Sequence, residues 1–355
     1  MSKTIEELDP NFGAPVVEDG LAWHSLHNSF SEGLGWPDES DAFCRWPDRA
    51  QGVVRAAVWE LSRTSAGVLA HFWSDAEAIS ARWTLRYENL AMDHMPASGA
   101  SGLDLYARDG DRWRWCGLGR ALEFPKNERL LVQDIVGGER EYLLYLPLYN
   151  GVNEVQVGVP EGASLRFEKR PQTPICFYGT SIVHGGCASR PGMAYPAIIG
   201  RELNCPTINL GFSGNAKCEK EIAELLIELD PSVFVLDPLP NMSLDLVRER
   251  MTDFVQTIRS AKPSTPILLV ENVAYQNDWI RRPEVRVVVE KNLALREAFE
   301  ELQKKGMQQL HYIEAKDLLG DDCEGTVDGV HPTDVGFRCL ARVLLESLKK
   351  VLPAG

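Results

Sequence analysis

From residue 175 onward the chain alternates short apolar runs with helical periods, and this alternation limits the fold more than any other feature. The runs are residues 175–178, 207–210, 233–236, 267–270 and 311–313. Between them, residues 217–229 carry Ile222, Leu225, Leu226 and Leu229 on one helical face. Residues 244–260 do the same with Leu244, Val247, Met251, Phe254, Val255 and Ile258, and 285–305 and 337–351 are longer helical stretches. Apolar strands each followed by a helix predict a parallel sheet covered on both faces.

The first half reads differently. Residues 78–87 alternate Ile79, Ala81, Trp83, Leu85 and Tyr87 with Ser80, Arg82, Thr84 and Arg86, the period of a half-buried strand. Residues 53–61, 68–73, 103–107, 142–146 and 155–159 are further expected strands, separated by turns such as Asp109-Gly110-Asp111 and Gly137-Gly138. So many short strands predict an all-β sandwich, and 355 residues suit two domains. The division falls in the proline-containing stretch 160–174, giving a β-sandwich over 1–170 and an α/β domain over 171–355. Eight of the nine tryptophans lie in the first part, where they serve either as a carbohydrate-stacking platform or, the favoured reading, as core and strand-pair packing.

In open α/β sheets, ligands bind beyond the carboxyl ends of the strands. There this chain places Gly179-Thr180-Ser181, the loop 211–215, Asp237-Pro238-Leu239-Pro240-Asn241, Glu271-Asn272 and Asp328-Gly329-Val330-His331. These are the parts acyl transfer requires. A serine hydroxyl needs a base to take its proton, which His331 supplies, and the base needs an orienting carboxylate, which Asp328 supplies. The developing oxyanion needs donors fixed in advance: the N–H groups of Ser181 and Gly211 and the amide of Asn241. A Val183 where a second glycine would be required disfavours the nucleophile elbow of α/β-hydrolases.

The constellation resembles the SGNH (GDSL-type) hydrolase superfamily. The matching residues are Ser181 in Y-G-T-S, Gly211 in N-L-G-F-S-G-N, Asn241 in D-P-L-P-N-M, and Asp328 and His331 in D-G-V-H-P, a likeness spanning 175–352. It implies a flavodoxin-like α/β/α sandwich, with Ser181 as nucleophile, Gly211 and Asn241 completing the oxyanion hole, His331 as base and Asp328 as its orienter. The blocks G-T-S-I and D-P-L-P-N depart from G-D-S-L and G-x-N-D. They resemble a subgroup with an N-terminal, jelly-roll-like β-sandwich, marked by S-G-L-D-L-Y (101–106) and C-A-S-R-P-G-M-A-Y-P (187–196). That subgroup includes carbohydrate acetylesterases and an acyltransferase of natural-product biosynthesis.

The expected function is therefore a serine esterase removing a short acyl group, acetyl above all, from a carbohydrate or similar polyol. An acyltransferase acting on an alcohol and a carbohydrate-binding protein with a vestigial site are the alternatives. His184, Arg190 and Glu271 are candidate substrate-binding residues, with a solvated residue before a helix as the alternative for Arg190 and a structural salt bridge as that for Glu271, and Asp104 and Tyr106 are expected to fix the domain interface or a loop over the site. The expected partner is a small-molecule or oligosaccharide ester. A net charge of −14 repels nucleic acid and anionic lipid, and no apolar stretch approaches 18 residues. The charged start MSKTIEELDP lacks the apolar core of a signal peptide, so the expected location is cytoplasmic. The eight cysteines form no CxxC pair, the HxxH of His24 and His27 has no evident third ligand, and no cofactor or metal motif stands out.

Overall fold

In each strand of the parallel sheet, alternate side chains enter opposite cores, so the sheet is apolar on both faces. The computed structural model describes residues 15–282 and 287–352. The N-terminal stretch MSKTIEELDP and the first two residues of the helix expected at 285–305 lie outside the described residues. The strands are β1 (Val16–Glu18), β2 (Leu21–Ser25), β3 (Ser31–Glu32), β4 (Leu69–Ser74), β5 (Ile79–Leu85), β6 (Leu103–Asp109), β7 (Arg112–Gly119) and β8 (Lys126–Val132). They continue with β9 (Arg140–Tyr145), β10 (Val152–Pro160), β11 (Leu165–Phe167), β12 (Ile175–Gly179), β13 (Thr207–Gly211), β14 (Val233–Asp237), β15 (Ile267–Val270) and β16 (Leu310–Ile313).

Two antiparallel sheets, ordered β1-β2-β10-β5-β8 and β11-β4-β9-β6-β7, face one another across a core that includes Phe72, Ala81, Trp83, Leu105, Leu144 and Val157. This is the expected sandwich. The third sheet is parallel, ordered β13-β12-β14-β15-β16. Counted from β12 that is 2-1-3-4-5, the flavodoxin-like order. Cys176 and Tyr178 of β12 enter one core, Ile175 and Phe177 the other. Helices Lys220–Leu226, Leu244–Ala261 and Val288–Lys304 cover the first face, and Tyr195–Glu202 and Asp334–Val351 the second.

One expected strand is a helix. Residues 53–61 form the helix Ala56–Ser62, because Val54, Val58 and Leu61 recur at helical spacing. Val54 and Val58 turn toward the parallel sheet, where Trp36, Trp46 and Trp59 join Phe212, Ile222 and Phe234 in one core. Part of the first half therefore packs as a wall of the α/β layer. Trp23 and Trp83 are also buried, so most of these tryptophans are core residues; Trp115 is exposed and stacks on Arg190. Among the described residues no helix is long and apolar enough to cross a membrane.

Candidate active site

β12 ends in a tight turn into the short helix Ser181–His184, whose Thr180 cap accepts the Ile182 N–H at 3.2 Å. This lifts Ser181 to the carboxyl rim of the sheet. Its Oγ lies 2.9 Å from His331 Nε2. His331 Nδ1 lies 2.7 Å from Asp328 Oδ2. The carboxylate fixes the tautomer: Nδ1 carries the proton, and the Nε2 lone pair faces the serine hydroxyl.

The loop bearing the pair is held at both ends. Val327 N–H donates to the His331 carbonyl at 2.8 Å and Thr333 N–H to the Gly325 carbonyl at 2.9 Å. Thr333 then caps the helix Asp334–Val351. Burial alone would raise the Asp328 pKa. It is outweighed by donors from the His331 and Val330 N–H groups and the His331 ring, which hold the carboxyl at about 2. Asp328 is therefore an anion at neutral pH.

Of the three expected oxyanion donors, two are free. The Ser181 N–H has no hydrogen-bond partner among the described residues. Asn241 Oδ1 accepts the Ala216 N–H at 3.2 Å, which leaves its Nδ2 donor unused. Gly211 departs from expectation: its N–H goes to Asn209 Oδ1 at 2.9 Å. Its glycine identity has a steric cause, since a Cβ there would meet the His184 backbone nitrogen at 2.2 Å. Two N–H groups of that loop, those of Ser213 and Gly214, have no hydrogen bond among the described residues, and Gly214 has φ of +70°. The same sequence block contains both glycines, so the signal was present and the choice between them was not.

Three further candidates make structural contacts. His184 is fully buried, stacked on Tyr149 at 4.2 Å, with Nε2 2.7 Å from the Leu148 carbonyl and 3.1 Å from Thr64 Oγ1. Burial first, then the Arg45 charge, keep it neutral. Arg190 bonds Asp104 at 2.8 Å and also donates to the Tyr106 hydroxyl. Asp104 in turn accepts the Gly192 N–H at 2.8 Å, so the D-L-Y stretch clamps the two halves together. Glu271 spends both oxygens on Tyr312 OH (2.6 Å), Arg296 (3.0 Å) and the Ala315 N–H (2.7 Å). His184 and Glu271 are committed to these partners, whereas Arg190 spends only Nη1 on Asp104 and Tyr106. His94 was missed; it reaches the site from the β-sandwich half and meets the His331 ring edge-on at 5.5 Å. No linear motif marks it.

The family model of GDSL-like lipases and acylhydrolases matches residues 172–349, half of the chain. The chain belongs to this family. The GDSL-like match is preceded by one to the N-terminal domain of SGNH-hydrolase-type esterases, over residues 21–165. A putative GDSL-like lipase from Bacteroides ovatus is 34% identical, covers 93% of this chain and 98% of its own, and superposes with a TM-score of 0.87. A salicylyl-acyltransferase from a tetracycline biosynthetic pathway shares the fold at 19% identity and TM-score 0.72, covering 96% of this chain and 98% of its own. A family two carbohydrate esterase from Clostridium thermocellum, solved with cellohexaose, does so at 14% identity and TM-score 0.60, covering 80% and 92%. No curated protein matches the sequence.

Behind the oxyanion side of this GDSL-like site lie two buried ionisable groups. Lys291 Nζ donates to the Leu239 carbonyl at 3.0 Å and to Asn272 Oδ1 at 3.1 Å, bracing the turn Leu239–Asn241. Asp237 is buried, with the Tyr195 hydroxyl donating to it at 3.1 Å, and burial pushes its carboxyl up to about 8. The folded protein thus keeps a proton that the unfolded chain releases near 3.8, the ordinary value for an aspartate. Stability contributed by this proton is complete below that lower value and is lost as pH rises toward about 8, by up to ~1.4 kcal/mol per pH unit. Asp237→Asn has no proton to lose. Its melting temperature relative to wild type should climb between pH 5 and pH 8, whereas parallel curves would show that Asp237 is ionised in the fold.

Proposed function

We propose that the chain is a serine esterase that hydrolyses a short acyl ester, acetyl above all, of a carbohydrate or similar polyol. The observation that carries this reading is the Ser181–His331–Asp328 relay, with distances of 2.9 and 2.7 Å, together with the unpaired donors at the strand ends. His331 Nε2 takes the Ser181 proton as Oγ attacks the ester carbonyl. The N–H groups of Ser181 and Gly214 and the Asn241 amide stabilise the oxyanion. The imidazolium, balanced by Asp328, returns the proton to the leaving alcohol, and acyl-Ser181 remains. Water then adds with His331 again as base, the acid departs and the serine is restored.

A small acyl group suits the packing, since Ser181 is only 6% exposed and His94 leans on His331. A sugar alcohol is favoured by the shared fold with the carbohydrate esterase solved with cellohexaose. Acyl transfer is the second reading, favoured by the fold shared over both halves with the salicylyl-acyltransferase. The two readings share every step up to acyl-Ser181. The experiment is product analysis on acetylated oligosaccharides, with and without an added alcohol acceptor. Free acetate at an unchanged rate supports hydrolysis, and a new ester formed at its expense supports transfer. Release of neither product from any acetylated glycan overturns the carbohydrate-ester assignment.

A further inference from the structure

His94, Cys187 and His331 come from three separate parts of the chain: the loop between β5 and β6, the turn after the Ser181–His184 helix, and the loop before the last helix. Two imidazole nitrogens and a thiol sulfur, one from each residue, all lie within 4.8 Å of one another. The His94 nitrogens and the Cys187 sulfur make no hydrogen bond to any described residue. The His331 ring is already oriented, because its Nδ1–H donates to Asp328 and its Nε2 lone pair faces the Ser181 hydroxyl.

We propose that these three residues form an inhibitory site for a zinc-class divalent cation. Sulfur and imidazole donors select zinc or cobalt over magnesium or calcium. Zinc bonds to nitrogen of about 2.0 Å and to sulfur of about 2.3 Å require the donors to close in by roughly 1 Å. The metal displaces the Cys187 proton to solvent and forms one bond to sulfur and two to nitrogen, with a fourth position left for water. Asp328 then stands behind a metal-bound histidine, the carboxylate–histidine–metal arrangement that raises ligand basicity. The thiolate and Asp328 together offset the charge of the cation.

The consequence follows from a single lone pair. Nε2 of His331 either accepts the Ser181 proton or binds the metal, and it cannot do both. Occupancy removes the base and ties the β-sandwich half to the loop that carries it. This inhibitory role rests on the esterase reading; the binding site itself does not.

The test uses cobalt as a spectroscopic stand-in, titrated into the full chain carrying Cys323→Ser, since Cys323 is exposed and would bind on its own. The expected result is a thiolate-to-cobalt absorption band saturating at one metal per chain. It should survive Ser181→Ala and vanish in Cys187→Ser, and in His94→Gln the affinity should fall on the order of 10- to 100-fold. Zinc should inhibit p-nitrophenyl acetate hydrolysis, reversibly with EDTA. Cys187→Ser, compared with itself in the absence of zinc, should resist by a similar factor. No band, or a band indifferent to Cys187→Ser, overturns the site. A band without zinc inhibition, or with zinc activation, overturns the inhibitory role. If no ester is turned over at all, the band still decides the site, and the esterase reading is what fails.

Discussion

Replacing Ser181 with alanine should reduce kcat for p-nitrophenyl acetate by on the order of a million-fold, leaving the residual rate that binding and the oxyanion donors supply. The size of the effect comes from the chemistry. Without Oγ there is no covalent intermediate, and His331 has no proton to take. The fold should be untouched, because among the described residues the only hydrogen bond of Ser181 Oγ is the one to His331 Nε2. The variant should therefore melt within about 2 °C of wild type, a change of under ~1 kcal/mol. Turnover near the wild-type rate in a folded variant would show that the nucleophile is another group.

The second large effect concerns stability and begins in the other half of the chain. Arg45 is fully buried and has no carboxylate partner among the described residues. Its Nε donates to the Thr64 carbonyl at 3.2 Å. Nη1 donates to the carbonyls of Asn209 at 3.1 Å and Gly211 at 2.6 Å, and Nη2 to that of Leu61 at 2.6 Å. The guanidinium also lies 4.9 Å from the centre of the Phe212 ring. One side chain thus joins the segment after β3 to the end of β13, from which the Gly214 loop departs.

Arg45→Ala takes a donor from four carbonyls, those of Thr64, Asn209 and Gly211 buried, and opens a void beside Phe212. The expected cost is about 3–5 kcal/mol, read as a fall in melting temperature of roughly 10 °C. Lysine should not rescue it, since a single ammonium cannot reproduce a planar fork reaching carbonyls on both sides of the interface. A melting temperature within about 2 °C of wild type would mean that the two halves are held together without Arg45.

Much of this was legible in the sequence, for physical reasons. Buried parallel strands must be apolar on both faces, so Ile175, Cys176, Phe177 and Tyr178 announce β12. Residues that end such strands converge on one rim, so Ser181, Asn241, Asp328 and His331 could be brought together from their positions alone. The errors have physical causes too. The segment 53–61 is rich in valine and tryptophan and reads as a strand, yet its spacing matches a helix packed on a sheet formed some 120 residues later. His184 lies three residues from Ser181, one helical turn on, but the helix turns it inward onto Tyr149. Glu271 ends a strand as expected, but Tyr312 and Arg296 reach it first. Gly211 and Gly214 sit in one block, and only the bond that the Gly211 N–H donates to Asn209 shows that the first is occupied. His94 carries no linear signal, because its place depends on how the halves dock.

The central claim is that Ser181 is an activated nucleophile. Intact-mass spectrometry after exposure to a fluorophosphonate probe tests it most directly, on wild type and on Ser181→Ala. The predicted result is a single adduct on the wild-type chain and none on the variant. No adduct on folded wild type, or the same adduct on both proteins, would contradict it.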